Sequence, residues 1–221
     1  PVRPLHSQYW HVDWDGDGLR DLIGFAYRRY EYGAPLEPNQ GNGVYFLKNV
    51  GEAGKPLFAP RERLKGTDGR YLQTDLLPQN MTPVDWNADG HLDFVGADSR
   101  KQLLLWANTG RRDRNGCYLL EPPRVVASLA AISDFREHAP GVVRKPGYSL
   151  RALSVVDWRG DGGRDLVACW SSTNILAKVD SRKGVIPYGA PLMIFELFEE
   201  VSADAEGVPQ YAPPRVLTVD I

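Results

Sequence analysis

Carboxylates at alternating positions mark one stretch near the start of the chain, Asp13-Trp14-Asp15-Gly16-Asp17-Gly18-Leu19-Arg20-Asp21. Acidic groups packed this closely repel one another unless a cation lies between them. A ligand set made only of oxygen atoms suits a hard cation, and Ca²⁺ above all. The spacing therefore predicts a calcium-binding loop, which we name the first loop.

The same stretch recurs twice at a fixed period. The second loop is Asp85–Asp93 and the third loop is Asp157–Asp165, so successive loops begin 72 residues apart. Each loop is followed at once by a short apolar run, at Leu22–Ala26, Phe94–Ala97 and Leu166–Cys169. Repetition of this kind is typical of propellers, solenoids and related arrays.

Each repeat also shows the same order of short strands separated by turns. A first strand leads into the loop, a second leaves it, a third follows, and a fourth contains a Pro-Arg pair. The first strands are predicted at Tyr9–Val12, Met81–Val84 and Leu153–Val156, the third at Gly43–Asn49, Gln102–Asn108 and Leu192–Phe198, and the pairs are Pro60-Arg61, Pro123-Arg124 and Pro214-Arg215. Four strands per repeat is the composition of a propeller blade.

The predicted fold class is therefore all-β, a β-propeller of four-stranded blades. The blades cover approximately residues 6–66, 78–129 and 150–221 of a single segment, 1–221. Closed propellers have about four to eight blades. We expect three blades to form part of a ring that further blades or a second copy would complete.

The repeated pattern resembles the FG-GAP/VCBS repeat family, whose members include the blades of integrin-α-type propellers and of many secreted bacterial proteins. The residues that carry the resemblance are Asp13–Ala26, Asp85–Ala97, and the third-strand endings Leu47–Gly51 and Trp106–Gly110. The family hosts adhesins, lectins and polysaccharide-active enzymes, so the resemblance is informative for fold and metal and poor for function. Calcium-type loops favour a secreted, extracellular or periplasmic location, where free calcium is plentiful.

The resemblance also implies a set of metal ligands. In the first loop they are Asp13, Asp15, Asp17, the Leu19 carbonyl and Asp21, and in the second they are Asp85, Asn87, Asp89, the His91 carbonyl and Asp93. Asn87 supplies a neutral oxygen, so the second site is expected to be weaker but intact. The resemblance thus implies two structural Ca²⁺ sites.

The third loop departs from the family pattern because Arg159 stands where a ligand is expected. A guanidinium cannot bind a cation, but it can replace the charge of one. We expect Arg159 to lie among Asp157, Asp161 and Asp165, which leaves this degenerate loop free of metal.

The loops allow two other interpretations. The EF-hand begins with the same residues but needs a Glu at position 12 and flanking helices. Position 12 is Gly24, Gly96 or Ala168, and the flanks are strand-like, so the EF-hand is disfavoured. The loops could also be acidic turns that bind no ion, and this alternative stays open.

Tryptophan follows the first carboxylate of every loop, as Trp14, Trp86 and Trp158. These rings could stack on sugars, but an aromatic residue repeated once per blade is more often a packing residue between blades. We therefore predict packing.

Catalytic candidates are sparse. His6, Tyr9 and Tyr148 would lie at one mouth of the central channel of a propeller, where Tyr or His could remove the proton α to a uronate. The favoured alternative is that these three are ordinary polar residues at the rim of the channel, without a catalytic role. The sequence leaves open whether the chain is an enzyme.

The functional prediction is a calcium-stabilised binding or scaffold module of a secreted protein. Insertions at 28–42, 130–150 and 171–187 are the loops expected to contact glycans or extracellular proteins. The alternative is a carbohydrate-active enzyme, either a polysaccharide lyase or a glycosidase. The net charge of −2 argues against nucleic-acid binding, and no apolar run has the length of about 20 residues that membrane insertion requires.

Overall fold

The computed structural model describes residues 7–26, 43–72, 81–98, 100, 102–129, 148–172, 193–205 and 207–217. Every regular element within these residues is a β-strand, and the strands are numbered β1 to β17 in chain order. The prediction of an all-β chain is therefore confirmed. In the same part of the chain, no helix is long and apolar enough to cross a membrane.

Each repeat forms a four-stranded sheet in which the two strands that flank its loop are neighbours. The first sheet has the order β1 (Ser7–Val12), β2 (Asp21–Ala26), β3 (Gly43–Leu47), β4 (Glu62–Arg63). The second has the order β6 (Met81–Val84), β7 (Asp93–Ala97), β8 (Gln102–Trp106), β11 (Arg124–Ser128). The third has the order β12 (Tyr148–Val156), β13 (Asp165–Ser172), β14 (Met193–Phe198), β17 (Arg215–Val216). The arrangement of such sheets around a ring stays a prediction.

The sequence explains which strands lie inside a sheet and which lie at its edge. The run after the second loop, β7, is buried along its whole length, as expected for an apolar strand with both faces covered. Its neighbour β6 is an edge strand and contains Pro83, whose missing N–H costs least at an edge. Hydrophobic patterning and proline placement therefore agree with the observed order.

The first strand of the third sheet is longer than the sequence pattern predicts. It begins at Tyr148 rather than Leu153, and a register shift between Leu150 and Ala152 interrupts its pairing with β13. A bulge breaks the alternation of side chains that marks a strand in a sequence. Residues 148–150 and 171–172, predicted to belong to insertions, therefore lie in β12 and β13, whereas 28–42, 130–147 and 173–187 lie outside the described residues.

Two smaller sheets continue the third strands beyond the loops. One contains β5 (Lys65–Gly66), β10 (Tyr118–Leu120) and β9 (Asn108–Arg112), and the other pairs β15 (Glu200–Ala203) with β16 (Pro209–Tyr211). A single residue separates β8 from β9 and β14 from β15, namely Ala107 and Glu199. These breaks matter because the residues that follow them contact the loops.

The chain divides into two compact units, 1–98 with 104–125, and 99–103 with 126–221. In the first unit, residues from the first two repeats form one core that includes the fully buried Ile23, Leu64 and Phe94. Trp14 belongs to this core and stacks on Phe94 with ring centroids 5.2 Å apart. The buried apolar residues of the second unit include Leu153, Leu166, Ala168, Trp170 and Leu197.

Candidate metal loops

The first carboxylate of each loop folds the loop around itself. Asp13 accepts hydrogen bonds from the backbone N–H groups of Asp17 at 3.1 Å and Gly18 at 2.9 Å. Asp85 and Asp157 accept the same two bonds in their loops. The glycine at the sixth position has a φ of 86° in the first loop, 85° in the second and 83° in the third. A side chain would be strained there, which explains this glycine in every repeat.

The ninth-position carboxylate is buried and joins its loop to the third strand. Asp21 is 0% exposed, and it accepts bonds from the N–H of Trp14 at 3.0 Å and of Asn49 at 2.8 Å. The equivalent carboxylates, each with its two N–H donors, are Asp93 with Trp86 and Asn108, and Asp165 with Trp158 and Glu200. We name this arrangement the clamp. Because it recurs even in the degenerate third loop, the clamp is structural in its own right.

Burial perturbs two of the clamp carboxylates. It raises the pKa of Asp93 to about 6, although the N–H bonds from Asn108 and Trp86 act in the opposite direction. Burial also raises the pKa of Asp21, and the charge of nearby Asp15 adds to the rise. A cation beside these carboxylates would favour their charged forms.

Three carboxylates of the first loop lie close enough to share one ion. The ligand oxygens of Asp13, Asp15 and Asp21 lie within 4.8 Å of one another. The Asp15 side chain is 3% exposed, and its buried Oδ1 has no hydrogen-bond partner among the described residues. A buried carboxylate oxygen without a partner is costly, and a cation at this position would satisfy it. The residues of the first loop therefore fit Ca²⁺.

Asp17, the other predicted carboxylate ligand of the first loop, faces different partners. Its Oδ1 accepts the N–H of Leu19 at 2.9 Å, and its Oδ2 pairs with Lys48 Nζ at 2.6 Å. Lys48 Nζ also pairs with Asp15 Oδ2. Hydrogen bonds to the two carboxylates raise the pKa of Lys48 to about 12, and Lys48 in turn lowers the pKa of Asp17. The first loop therefore holds a lysine ammonium that its own sequence pattern does not reveal.

The polar groups of the second loop bond to one another. Asn87 Nδ2 donates to Asp89 Oδ2 at 2.9 Å, and Asp89 Oδ1 accepts the N–H of His91 at 2.8 Å. The His91 ring is half-buried and packs against Tyr118 with centroids 5.1 Å apart. The ligand roles of Asp85, Asn87, Asp89 and Asp93, and of the His91 and Leu19 carbonyls, stay predictions.

A residue beside the clamp distinguishes the first two loops. Lys48 directly precedes the clamp donor Asn49, and Ala107 directly precedes the equivalent donor Asn108. The second loop therefore has an uncharged methyl group at the position from which Lys48 reaches the first loop.

In the third loop, the guanidinium of Arg159 takes part in the acidic cluster. Its Nη2 lies 3.0 Å from Asp161 Oδ2 and 3.9 Å from Asp165 Oδ1. The same nitrogen donates to the backbone carbonyl of Glu200 at 2.5 Å. The guanidinium is thus fixed to the third strand as well as to the loop, and it supplies a positive charge within the cluster.

A second arginine, Arg164, ties the third loop to β15 and β16. Its Nη2 lies 2.7 Å from Glu200 Oε1, and its Nη1 donates to the Gly207 carbonyl at 3.0 Å. The hydroxyl of Tyr211 donates to the Arg164 carbonyl at 3.1 Å. Burial raises the pKa of Tyr211 above its ordinary value, so this hydroxyl keeps its proton.

The first loop is also braced by the hairpin of the second repeat. Arg112 Nη2 donates to the Asp15 carbonyl at 2.7 Å and to Tyr118 Oη at 3.0 Å. The Tyr118 ring lies 6.3 Å from the Trp14 ring in an edge-on arrangement. Sequence reasoning missed Arg112 because 97 residues separate it from Asp15.

The three loop tryptophans differ in burial. Trp14 is 2% exposed and Trp86 is 4% exposed, which agrees with the prediction that they are packing residues. Trp158 is 48% exposed, so within the described residues the third loop does not show the packing predicted for its tryptophan.

The catalytic candidates stay predictions. His6 lies outside the described residues, and Tyr148 is described only as the first residue of β12. Tyr9 is 54% exposed on β1, and a side chain at Gly24 on the neighbouring strand would collide with its ring. Packing on Gly24 accounts for the placement of Tyr9 without a catalytic role.

Comparisons with known proteins place few constraints on the chain. A search against models of protein families finds no match to the sequence. No curated protein matches it either. Among solved structures, the chain is similar to an Agrocybe aegerita lectin described as recognising non-reducing terminal N-acetylglucosamine, with a TM-score of 0.41 and 18% identity. The match covers 97% of this chain, which spans about half of the lectin chain, 52%.

Proposed function

We propose that the chain is a calcium-stabilised β-propeller segment of three four-stranded blades, with Ca²⁺ bound at the first two loops. The observation that carries this proposal is the group formed by Asp13, Asp15 and Asp21, together with the buried, unpartnered Oδ1 of Asp15. Ca²⁺ coordinates carboxylate oxygens at about 2.3–2.6 Å and tolerates irregular geometry. The ion would complete a carboxylate set that the fold already gathers.

The role of Ca²⁺ in this proposal is structural. Asp13 lies just after β1, and Asp21 begins β2 and is clamped to Asn49 beyond β3. An ion shared by Asp13, Asp15 and Asp21 would tie these three strands together and offset the repulsion among the carboxylates. Asp17 and the Leu19 carbonyl would complete the set.

The other two loops should bind Ca²⁺ progressively less well than the first. In the second loop, Asp85, Asn87, Asp89, Asp93 and the His91 carbonyl would bind Ca²⁺ more weakly, because Asn87 carries no charge. In the third loop, the guanidinium of Arg159 pairs with Asp161 and replaces the ion. The proposed stoichiometry is therefore two Ca²⁺ per chain.

The biological role that we propose for this scaffold is binding to glycans or extracellular proteins in a secreted or periplasmic setting. The contacts would come from the insertions at 28–42, 130–147 and 173–187, which connect strands of the regular sheets. This role rests on the resemblance to the FG-GAP/VCBS family and on the general tendency of long loops on a rigid scaffold to bind partners.

Calorimetric titration with Ca²⁺ and thermal melting in excess chelator test the proposal. We expect two binding events in the unmodified protein and a melting temperature that falls by several degrees when the ion is removed. Asp15→Asn should abolish one event and reduce the effect of chelator. Asp161→Asn is the matched control, because its loop already holds Arg159, and it should leave both events intact.

Two results would overturn the proposal. One is an absence of binding with an identical melt in Ca²⁺ and in chelator. The other is calcium binding that Asp15→Asn leaves unchanged. The partner role is tested separately on a glycan array with Ca²⁺ present, and an absence of any glycan signal would argue against glycans.

A further inference from the structure

Lys48 is held at the first loop by the strand register rather than by chance on the surface. It directly follows β3, which pairs with β2 so that Leu47 lies opposite Leu22. The next residue, Asn49, donates its N–H to the clamp carboxylate of Asp21. The residues on both sides of Lys48 are therefore fixed, Leu47 by strand pairing and Asn49 by its bond to Asp21. This places the Lys48 side chain beside the first loop.

The ammonium of Lys48 contacts oxygens that belong to the predicted calcium ligands. It pairs with Asp15 Oδ2 and lies 2.6 Å from Asp17 Oδ2. The unpartnered Oδ1 of Asp15 and the Oδ2 that holds Lys48 belong to one carboxylate, so an ion on Oδ1 would lie close to the ammonium. An ion on Asp17 Oδ2 at about 2.4 Å would need the oxygen that Lys48 occupies. Two cations so close would also repel each other strongly in a partly buried setting. Lys48 and Ca²⁺ therefore compete for these carboxylates.

We propose that Lys48 is a tethered competitor of Ca²⁺ at the first loop, neutralising the carboxylates when calcium is scarce and withdrawing when calcium binds. This inference rests on the proposed calcium site and adds its regulation. The Lys48 side chain is 38% exposed and that of Asp17 is 32% exposed, so the ammonium reaches solvent without crossing the core. Within the described part of the chain, withdrawal of Lys48 breaks its pairings with Asp15 and Asp17, and the ion then neutralises these carboxylates.

The other loops show why this arrangement is particular to the first. Ala107 occupies the matching position beside the second loop and supplies no competing charge. Arg159 in the third loop is anchored by the Glu200 carbonyl in addition to Asp161, so it is a fixed replacement for an ion. The first loop thus has an exchangeable cation in Lys48, and the second has the uncharged Ala107 at the matching position. The third loop has a fixed cation in Arg159.

Competition raises the apparent dissociation constant of the first loop for Ca²⁺. The intrinsic constant is divided by the fraction of molecules whose carboxylates are free of Lys48. Removal of the charge should therefore tighten calcium binding while it weakens the protein without calcium. A merely structural lysine would give the second effect and not the first. The two effects in opposite directions are the signature of a competitor.

The experiment compares Lys48→Met with Lys55→Met in a background of Asp89→Asn, which is chosen to weaken the second loop. Lys55 is an exposed lysine of a turn in the same repeat and serves as the matched control. Calcium affinity is measured by calorimetry, and thermal melting is recorded in chelator. We expect Lys48→Met to bind Ca²⁺ about tenfold more tightly, as if the carboxylates were free about one tenth of the time. It should also melt several degrees lower in chelator, whereas Lys55→Met should change neither value.

Lys48→Arg and Lys48→Gln extend the test. The arginine variant keeps the charge and should bind Ca²⁺ about as weakly as the unmodified lysine, whereas the glutamine variant should behave like Lys48→Met. Equal or weaker calcium binding in both uncharged variants would overturn the competition while leaving the proposed calcium site intact. A lack of calcium binding in every variant would overturn the site and the competition together.

Discussion

The backbone N–H of Asn49 donates a hydrogen bond of 2.8 Å to the fully buried carboxylate of Asp21, across 28 residues of sequence. Asn49 Nδ2 also donates to the Arg20 carbonyl at 3.1 Å. The end of the third strand is thereby fixed to the carboxylate that starts the second. Since Asp93 and Asp165 make the same type of bond, the ninth acidic position closes the loop in every repeat.

This clamp predicts a stability loss that calcium does not influence. Asp165→Asn keeps the shape of the side chain but points an amide N–H₂ at one of the two backbone donors, Trp158 or Glu200. One buried N–H group is left unsatisfied, so we expect a loss of about 1–3 kcal/mol in the free energy of unfolding. Urea unfolding in chelator measures it. Asp161→Asn, an exposed change in the same loop, should cost less than about 1 kcal/mol, and equal midpoints for the two variants would contradict the clamp.

Replacement of Arg159 by a carboxylate should give the third loop the ability to bind Ca²⁺. Arg159→Asp removes the guanidinium that pairs with Asp161 and restores the carboxylate spacing of the first loop. We expect the number of Ca²⁺ ions bound per chain to rise from two to three, because the first and ninth positions, Asp157 and Asp165, are already placed. Calorimetric stoichiometry measures the change. Arg159→Ala is the control, since it removes the charge without adding a ligand, and it should leave the stoichiometry at two. A stoichiometry of two in Arg159→Asp would contradict the prediction.

The sequence predicted the parts of this site that are local. Loop boundaries and the central strands follow from residues within about ten positions of one another, where spacing reports geometry directly. Lys48, Asn49 and Arg112 escaped prediction because they reach Asp15 or Asp21 only through strand pairing and hairpin packing. The start of β12 at Tyr148 was missed for a similar reason, since the bulge after Leu150 shifts the side-chain alternation.

Burial predicts that the two cysteines are unreactive in the folded protein. Cys117 is 3% exposed, and burial raises the pKa of its thiol to about 12. At pH 8 only about one thiol in ten thousand would be ionised at such a pKa, and the thiolate is the reactive form. Burial also raises the pKa of Cys169, which is 5% exposed.

We therefore expect an aromatic disulfide reagent at pH 8 to label neither Cys117 nor Cys169 in the native protein. Both thiols should react at once in concentrated denaturant, which provides the internal control. Cys117→Ser should remove one of the two denatured equivalents and leave the native trace flat. Rapid labelling of the native protein would contradict the burial of these side chains.

From the exposure of Trp158 we predict that its side chain is covered in the assembled protein. Its counterpart Trp14 is buried against Phe94 and Tyr118 of the following repeat, whereas Trp158 is 48% exposed. If the repeats complete a ring, a further blade or a second copy must cover Trp158 in the same way. For the chain studied alone we expect a second copy, because two sets of three blades would give a six-bladed ring, within the range of closed propellers.

Light scattering coupled to size exclusion measures this directly. We expect a mass of twice the 24.7 kDa of one chain, and Trp158→Arg should return the mass to that of one chain. Leu57→Arg, at a side chain that is 63% exposed in the first repeat, is the control and should leave the mass unchanged. A wild-type mass of one chain at high protein concentration would rule out closure by a second copy. Trp158 would then be the surface on which a further blade packs, and addition of such a blade in the same chain should protect its fluorescence from acrylamide quenching.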